Sequence, residues 1–388
     1  MQIPLAAPDI READRAAVLA VLDSGVLSLG PKLPEFEEAV ARMTRSRHAI
    51  AVNSGTSALH LCVKAAGISD GDEVITTPFS FIASANCVLF ERATPVFVDI
   101  DPVTYNIDAS RIEAAITPRT KAILPVHVFG RPCALSDITY IAHKHGLTII
   151  EDACEAIGAK YHDAPVGTSG QTGVFAFYPN KQLTTGEGGV IVTDDLLVAN
   201  QCRSWRNQGR GDTDGWLEHD SIGYNYRLSD INCAVGITQL ARLDEVIAAR
   251  ARVAKFYDEA LRDIPEIIAP RISEPDAAIS WFVYVVRLSD EFSRSDRDQV
   301  ILNLKRWGIG ARNYFPPIHL QPLYQRMFGY QPGAFPITEH VSDRTIALPF
   351  FNQLTEGEVE IVCSSLRNAI QSLNGKTRVA TQPLVAKA

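Results

Sequence analysis

The sequence predicts an α/β fold, a large domain on a mostly parallel sheet followed by a smaller C-terminal α+β domain. Three observations predict it. Short apolar runs recur at 74–77, 95–99, 122–126, 147–152, 174–177 and 190–193, each ending in a polar or glycine-rich stretch. Helical patterns lie between many of them, for example at 56–66, 109–115 and 135–145, and strands alternating with helices build parallel sheets. The runs are also apolar on both faces, as a sheet covered by helices on two sides requires.

The elements follow in order. An apolar run at 49–52 precedes the turn Asn53-Ser54-Gly55-Thr56, and the strand-and-helix alternation continues to 193. Residues from 230 to about 261 read as one long helix that leaves the large domain. Beyond it, 279–288 predicts a strand, 297–307 a helix and 356–373 a terminal helix, while 375–388 lacks a convincing pattern. The reading therefore divides the 388 residues into a large domain at 1–245 and a smaller one at 246–388, a length that suits two cores rather than one.

Composition excludes several classes of function. The hydrophobic fraction of 46% and charged fraction of 21% are those of an ordinary globular chain. A formal net charge of −8 gives no general attraction for nucleic acid or an anionic membrane. Residues 1–18 lack a basic segment followed by a long apolar run, and no stretch is apolar for long enough to cross a bilayer. The seven cysteines are scattered and never form CxxC. This pattern predicts buried thiols in a reducing cytoplasm, with neither a disulfide framework nor a metal site.

Four segments carry chemistry. At Asn53–Leu59 (NSGTSAL) a strand, a glycine turn and a helix start can cradle an anion, because backbone N–H groups and the helix dipole point outward there. The same residues also suit an ordinary turn with Thr56 or Ser57 as cap. At Ile149–Glu155 an apolar run delivers Asp152 to the carboxyl end of a strand, the edge at which open α/β sheets bind ligands. Asp152 can there pair with a protonated ring nitrogen or cap a following helix. At 174–189 an aromatic strand leads to Lys181 and then to QLTTGEGG. A lysine so placed can be desolvated into a nucleophile, or can be a solvated surface residue. At 223–229 (GYNYRLS), asparagine and arginine can contact an anion or cap the next helix.

Together these segments resemble the sugar aminotransferases of the DegT/DnrJ/EryC family, which have the aspartate-aminotransferase-like, fold type I architecture. The motifs run in the family order: NSGTSAL at 53–59, ATPVFVDID at 93–101, LPVHVFG at 124–130, EDACEAIGA at 151–159, FAFYPNKQLTTGEGG at 175–189 and GYNYRLSDINCAVGITQL at 223–240. PPIHLQPLY at 316–324 and ALPF at 347–350 extend the match over nearly the whole chain.

The resemblance implies roles and a cofactor, pyridoxal 5′-phosphate (PLP). Lys181 matches the lysine that forms the Schiff base with the cofactor, and Asp152 the partner of its pyridine nitrogen. Gly55 and Thr56 match the phosphate turn. Phe81, in the segment FSFIAS at 79–84, matches an aromatic that stacks on the ring, the alternative being a phenylalanine of the core. Asn225 matches a residue that reaches the cofactor phosphate of the neighbouring subunit, which implies a homodimer with shared sites. Tyr314 and His319 sit near the PPIH segment as candidates for the substrate pocket. Two positions depart from the common pattern. Ala176 stands where many members have a phosphate-binding serine. Glu155 stands where many have glutamine near the phenolic oxygen, so its carboxyl is expected to be protonated or turned elsewhere.

The implied reaction takes an amino group from L-glutamate to a nucleotide-linked keto-deoxysugar, with a 4-keto-6-deoxyhexose favoured. Amination at the 3-position, a sugar dehydratase of the same fold and a non-catalytic regulator are the alternatives. The dehydratases carry histidine in place of the lysine, and Lys181 is present. A Rossmann oxidoreductase would need GxGxxG, and Gly167, Gly170 and Gly173 have the wrong spacing.

Overall fold

The apolar runs become one seven-stranded sheet in a computed structural model that describes residues 2–211, 218–273 and 276–373. Its strands are β1 (His48–Val52), β2 (Glu73–Thr76), β3 (Thr94–Phe97), β4 (Thr120–Ile123), β5 (Thr148–Asp152), β6 (Thr172–Ala176) and β7 (Gly189–Thr193). The order across the sheet is β1-β7-β6-β5-β4-β2-β3. All pairs are parallel except those of β7, which runs antiparallel to both β1 and β6. The expected mostly parallel sheet is therefore present, with one reversed strand.

Side chains alternate between two buried layers. Ile50, Val52, Val74, Leu124, Ile150, Val174 and Ile191 fill one face, packed with Leu59, Val63 and Val88. Their neighbours Ala49, Ala51, Ile75, Ile123, Ile149, Phe175 and Val192 fill the other, with Phe36, Val40, Ile138 and Val246. The helices that line these layers are α2 (Lys32–Thr44), α3 (Gly55–Ala65), α4 (Ala83–Phe90), α5 (Leu135–His145), α6 (Leu196–Arg206), α7 (Asp230–Leu240) and α8 (Leu243–Leu261), and α1 (Glu12–Ser24) packs on α7. A third cluster surrounds a small antiparallel sheet of β8 (Ile267–Ile268), β9 (Tyr284–Leu288) and β10 (Thr345–Leu348), covered by α8, α9 (Arg294–Arg306) and α10 (Glu356–Leu373).

Several expectations need correction. The helix expected over 230–261 is two helices, broken at Ala241 and Arg242. Arg242 leaves the helical course and donates to Asp9 Oδ2 at 2.6 Å and Asp14 Oδ2 at 3.1 Å, ion pairs from the distant N-terminal segment. The strand expected over 279–288 begins only at Tyr284. The helix expected over 109–115 is one α-turn, Ala109–Ile112, tightened into a 3₁₀ turn, Glu113–Ala115. The helix expected from 297 starts at Arg294, where Ser293 and Asp296 form a capping box. The tail 375–388 lies outside the described residues. All seven cysteines are free. Among the described residues no helix is long and apolar enough to cross a membrane.

Candidate active site

Sheet topology brings the chemistry-bearing segments to one edge. β2, β4, β5 and β6 run parallel, and the reversal at β7 returns β1 to the same direction. The carboxyl ends of β1, β2, β5 and β6 therefore open onto a single cavity of about 580 Å³. Ser54–Thr56, Ser80–Ser84, Asp152–Glu155 and Tyr178–Lys181 follow those strands, and Phe282 and Tyr314 reach the cavity from later in the chain. Ligands of open α/β sheets bind at this edge.

Lys181 sits on a tight turn beyond β6. Its N–H donates to the Tyr178 carbonyl at 2.9 Å, and Thr184 Oγ1 and Thr185 N–H both bond the Phe177 carbonyl at 3.0 Å. Its side chain is only 13% exposed, which removes the solvated-surface reading. Nζ lies 3.6 Å from Glu155 Oε1 and 4.0 Å from the centre of the Phe282 ring.

Asp152 closes β5 with a buried carboxylate. Oδ2 accepts from Ser84 Oγ at 2.7 Å, and Ser84 Oγ in turn bonds Ser80 Oγ at 2.8 Å. Oδ1 accepts the Cys154 N–H at 3.1 Å, a local turn with no helix after it. Each carboxylate oxygen thus has one fixed partner and remaining acceptor capacity towards the cavity. The Asp152 N–H donates to the Pro125 carbonyl at 2.9 Å, which fixes the strand end that carries the carboxylate.

The anion cradle is at the start of α3. Its cap is Ser54, not Thr56 or Ser57. Ser54 Oγ accepts the Ser57 N–H at 3.1 Å and the Ser54 carbonyl accepts the Ala58 N–H at 3.1 Å. The N–H groups of Gly55 and Thr56, first in the helix, are left for a ligand. Gly55 has no room for a side chain, since a Cβ there would stand 2.8 Å from Ala176 Cβ and 3.0 Å from Cys154 Sγ. Ala176 thus packs directly behind the turn.

Glu155 is buried, with Oε2 accepting the Phe129 N–H at 2.9 Å. Burial pushes its carboxyl above the usual range and Asp152 reinforces that, while Lys181 and the Phe129 N–H oppose it. Burial also raises the Tyr314 phenol, with Glu155 adding to the effect and the Asn180 amide opposing it.

The remaining expected residues divide. Phe81 lines the cavity with 61% of its surface exposed, so it is not a core phenylalanine. Tyr314 lines it as well. His319 does not: its ring is fully buried, Nε2 pairs with Glu339 at 2.9 Å, and Phe335 packs 4.7 Å away. The expectation that His319 faces the substrate pocket is corrected accordingly. Asn225 is exposed and stands outside the lining, on a strand-like segment whose carbonyl accepts from Asn53 Nδ2 at 3.3 Å. Sequence reasoning missed Ser84 and Phe282. Ser84 closes the FSFIAS segment, but a helical serine gives no signal, and Phe282 comes from a distant strand edge.

The residues fit PLP. The cavity offers a near-buried amine for an aldehyde, a carboxylate for a ring nitrogen, an exposed aromatic face, and a helix start with two free N–H groups for a phosphate.

Comparison with known proteins places the chain in a family. Residues 8–367 match the model of the DegT/DnrJ/EryC1/StrS aminotransferase family. GDP-perosamine synthase of Caulobacter vibrioides is 41% identical over 370 residues, covering 94% of this chain and 97% of the relative. The solved structure of PseC from Helicobacter pylori, an aminotransferase involved in the biosynthesis of pseudoaminic acid, superposes with a TM-score of 0.91 at 31% identity, covering 96% of this chain and all of that one. The PLP form of the putative sugar aminotransferase Spr1654 from Streptococcus pneumoniae superposes with a TM-score of 0.91 at 25% identity, again over 96% of this chain and 100% of that chain. With an amine, a carboxylate and a helix start already on one sheet edge, the chain belongs to the DegT/DnrJ/EryC1/StrS aminotransferase family and is a PLP-dependent aminotransferase.

Proposed function

We propose that the protein moves the amino group of L-glutamate to a keto sugar carried on a nucleoside diphosphate, with a 4-keto-6-deoxyhexose as acceptor. The observation that carries this reading is the shared cavity of Lys181, Asp152 and the Gly55–Thr56 helix start. The sugar class is supported by the relatives, since one is by name a GDP-perosamine synthase and another acts in pseudoaminic acid biosynthesis.

Bound PLP supplies an aldehyde that captures amines and a pyridine ring that takes up electrons from the substrate carbon. Lys181 holds that aldehyde between turnovers and, once freed, carries a proton away from the donor's α-carbon. Asp152, its carboxylate held by Ser84 and the Cys154 N–H, would pair with the ring nitrogen and favour its protonated form. The Gly55 and Thr56 N–H groups would bind the phosphate, and Phe81 would stack on the ring. Tyr314 forms part of the wall against the sugar. Asn225 completes the phosphate site of a second copy, which makes the working unit a homodimer. We further propose the domain boundary at 245/246, inside α8, and a cytoplasmic location, where the free thiols stay reduced.

The test is direct. Borohydride reduction of the holoenzyme followed by peptide mapping should place the modified lysine at 181, and Lys181→Ala should lower turnover by about a thousand-fold or more. A modified lysine elsewhere refutes the assignment. Assays with nucleotide-linked 4-keto and 3-keto sugars, with L-glutamate as donor, then decide the position aminated.

A further inference from the structure

Two walls stand close to the Lys181 ammonium. Glu155 Oε1 is 3.6 Å from Nζ, and the Phe282 ring centre is 4.0 Å from it. One residue anchors both walls. The Phe129 N–H donates to Glu155 Oε2 at 2.9 Å, and the Phe129 carbonyl accepts the Phe282 N–H at 3.3 Å. A buried arginine on α8 adds a second tie. Arg250 Nη1 donates to the Phe282 carbonyl at 3.1 Å, and Nη2 donates to the Lys181 carbonyl at 3.3 Å. Gln182, next to the lysine, donates to the Glu155 carbonyl at 2.6 Å. Lysine, carboxylate and ring are thus held in one frame.

A transaminase needs such a frame for half of its cycle. The lysine holds the cofactor in one half and is free in the other. It gains charge when it takes a proton from the donor's α-carbon, loses it when it passes that proton on, and takes up another from solvent once the amino group is on the cofactor. A free ammonium on a side chain only 13% exposed is costly unless a counter-charge and an aromatic face receive it. We infer that Glu155 and Phe282 form the resting place of the free Lys181 ammonium and stabilise the half of the cycle in which the amino group is on the cofactor. The inference rests on the assignment of Lys181 as the cofactor-bearing lysine. It also gives Glu155 a task different from that of the glutamine common in the family: its carboxylate is turned to the lysine. Both residues are positioning residues, because they act through Lys181.

The titratable groups facing Glu155 are Lys181, Asp152, Cys154 and Tyr314. Since burial raises the Glu155 carboxyl, the measurement is made over a series of rising pH, along which the carboxylate form gains. Holoenzyme is equilibrated with mixtures of L-glutamate and 2-oxoglutarate, and the fraction of aminated cofactor is read from its absorbance. Glu155→Gln should shift the equilibrium towards the lysine-bound form by about ten-fold. Phe282→Leu, which leaves the carboxylate in place, should shift it the same way by about three-fold. In cofactor-free protein, Lys181 of both variants should react faster with an amine-directed reagent, as mapped by peptide mass spectrometry, because its charged form has lost support. If Phe282→Leu does not fold, Glu155→Gln carries the test alone. Equilibrium and labelling both unchanged in Glu155→Gln overturn the inference. Borohydride trapping separates the two failures: a modified lysine at 181 with an unmoved equilibrium sinks only the resting place, whereas a modified lysine elsewhere sinks the assignment beneath it.

Discussion

Gly55 stands where β1 hands over to α3, and its missing side chain is a packing requirement as much as a binding one. Gly55→Ala would drive a Cβ into Ala176 Cβ and Cys154 Sγ. The expected cost is about 1–3 kcal/mol of stability, as for other overpacked sites, together with weaker PLP binding. Thermal melts of the cofactor-free protein and a PLP titration check both. Glu155 makes a second prediction, on pH. Its folded carboxyl holds a proton more tightly than the ordinary 4.5, mainly through burial. Between that value and the raised one, the folded state binds more protons than the unfolded state, so this residue makes stability fall as pH rises through the window. Glu155→Gln should flatten that part of the stability–pH curve of the cofactor-free protein; an identical slope in both proteins would refute it. The residues themselves were unequally legible. Lys181, Asp152 and Gly55 stand at or beyond strand ends, where local pattern admits either a site or an ordinary cap, turn or surface residue, and the ordered family motifs single them out. Phe282 becomes relevant only because the strand edge before β9 folds over Lys181, and no local pattern encodes that contact. His319 misled for the converse reason: a histidine in a motif looks like a ligand until its partner Glu339 is seen.

At the scale of elements, the strands were readable because burial on both faces leaves continuous apolar runs, and the alternation of Ala49 and Ala51 against Ile50 and Val52 shows those runs split between two layers. The break between α7 and α8 was not readable. The local sequence, QLARLDEV, is favourable to helix throughout, and what ends α7 is a pair of carboxylates more than two hundred residues earlier. Asp9 and Asp14 have side chains only 7% and 2% exposed, and Arg242 pairs with both. Removing a partner from buried carboxylates is far more damaging than losing a surface ion pair. Arg242→Ala should therefore cost about 3 kcal/mol, measurable by denaturant unfolding, with the loss largely independent of PLP. A loss within experimental error would mean that Arg11, which also bonds Asp9, suffices to hold the N-terminal segment.

For the whole molecule, the homodimer proposed above makes a prediction about whether two copies share a site. Asn225 is exposed and outside its own cavity, yet its segment is tied to the residue that precedes the phosphate turn, through Asn53 N–H to the Tyr226 carbonyl at 2.8 Å and Asn53 Nδ2 to the Asn225 carbonyl. A side chain held so near one cradle but not in it is well placed to serve another copy. If it does, two inactive variants should complement one another. A Lys181→Ala subunit keeps Asn225 to lend, and an Asn225→Ala subunit keeps Lys181 to receive it, so each mixed dimer contains one complete site. Random mixing of equal amounts makes half of the dimers mixed, each with one working site of two, and should restore about a quarter of wild-type activity. Activity no higher than the average of the separate variants would show that Asn225 serves its own subunit or none. The arithmetic depends on exchange of subunits, so the mixture is best formed by co-expression with distinct tags and isolation of the doubly tagged species, whose expected activity is then about half that of wild type.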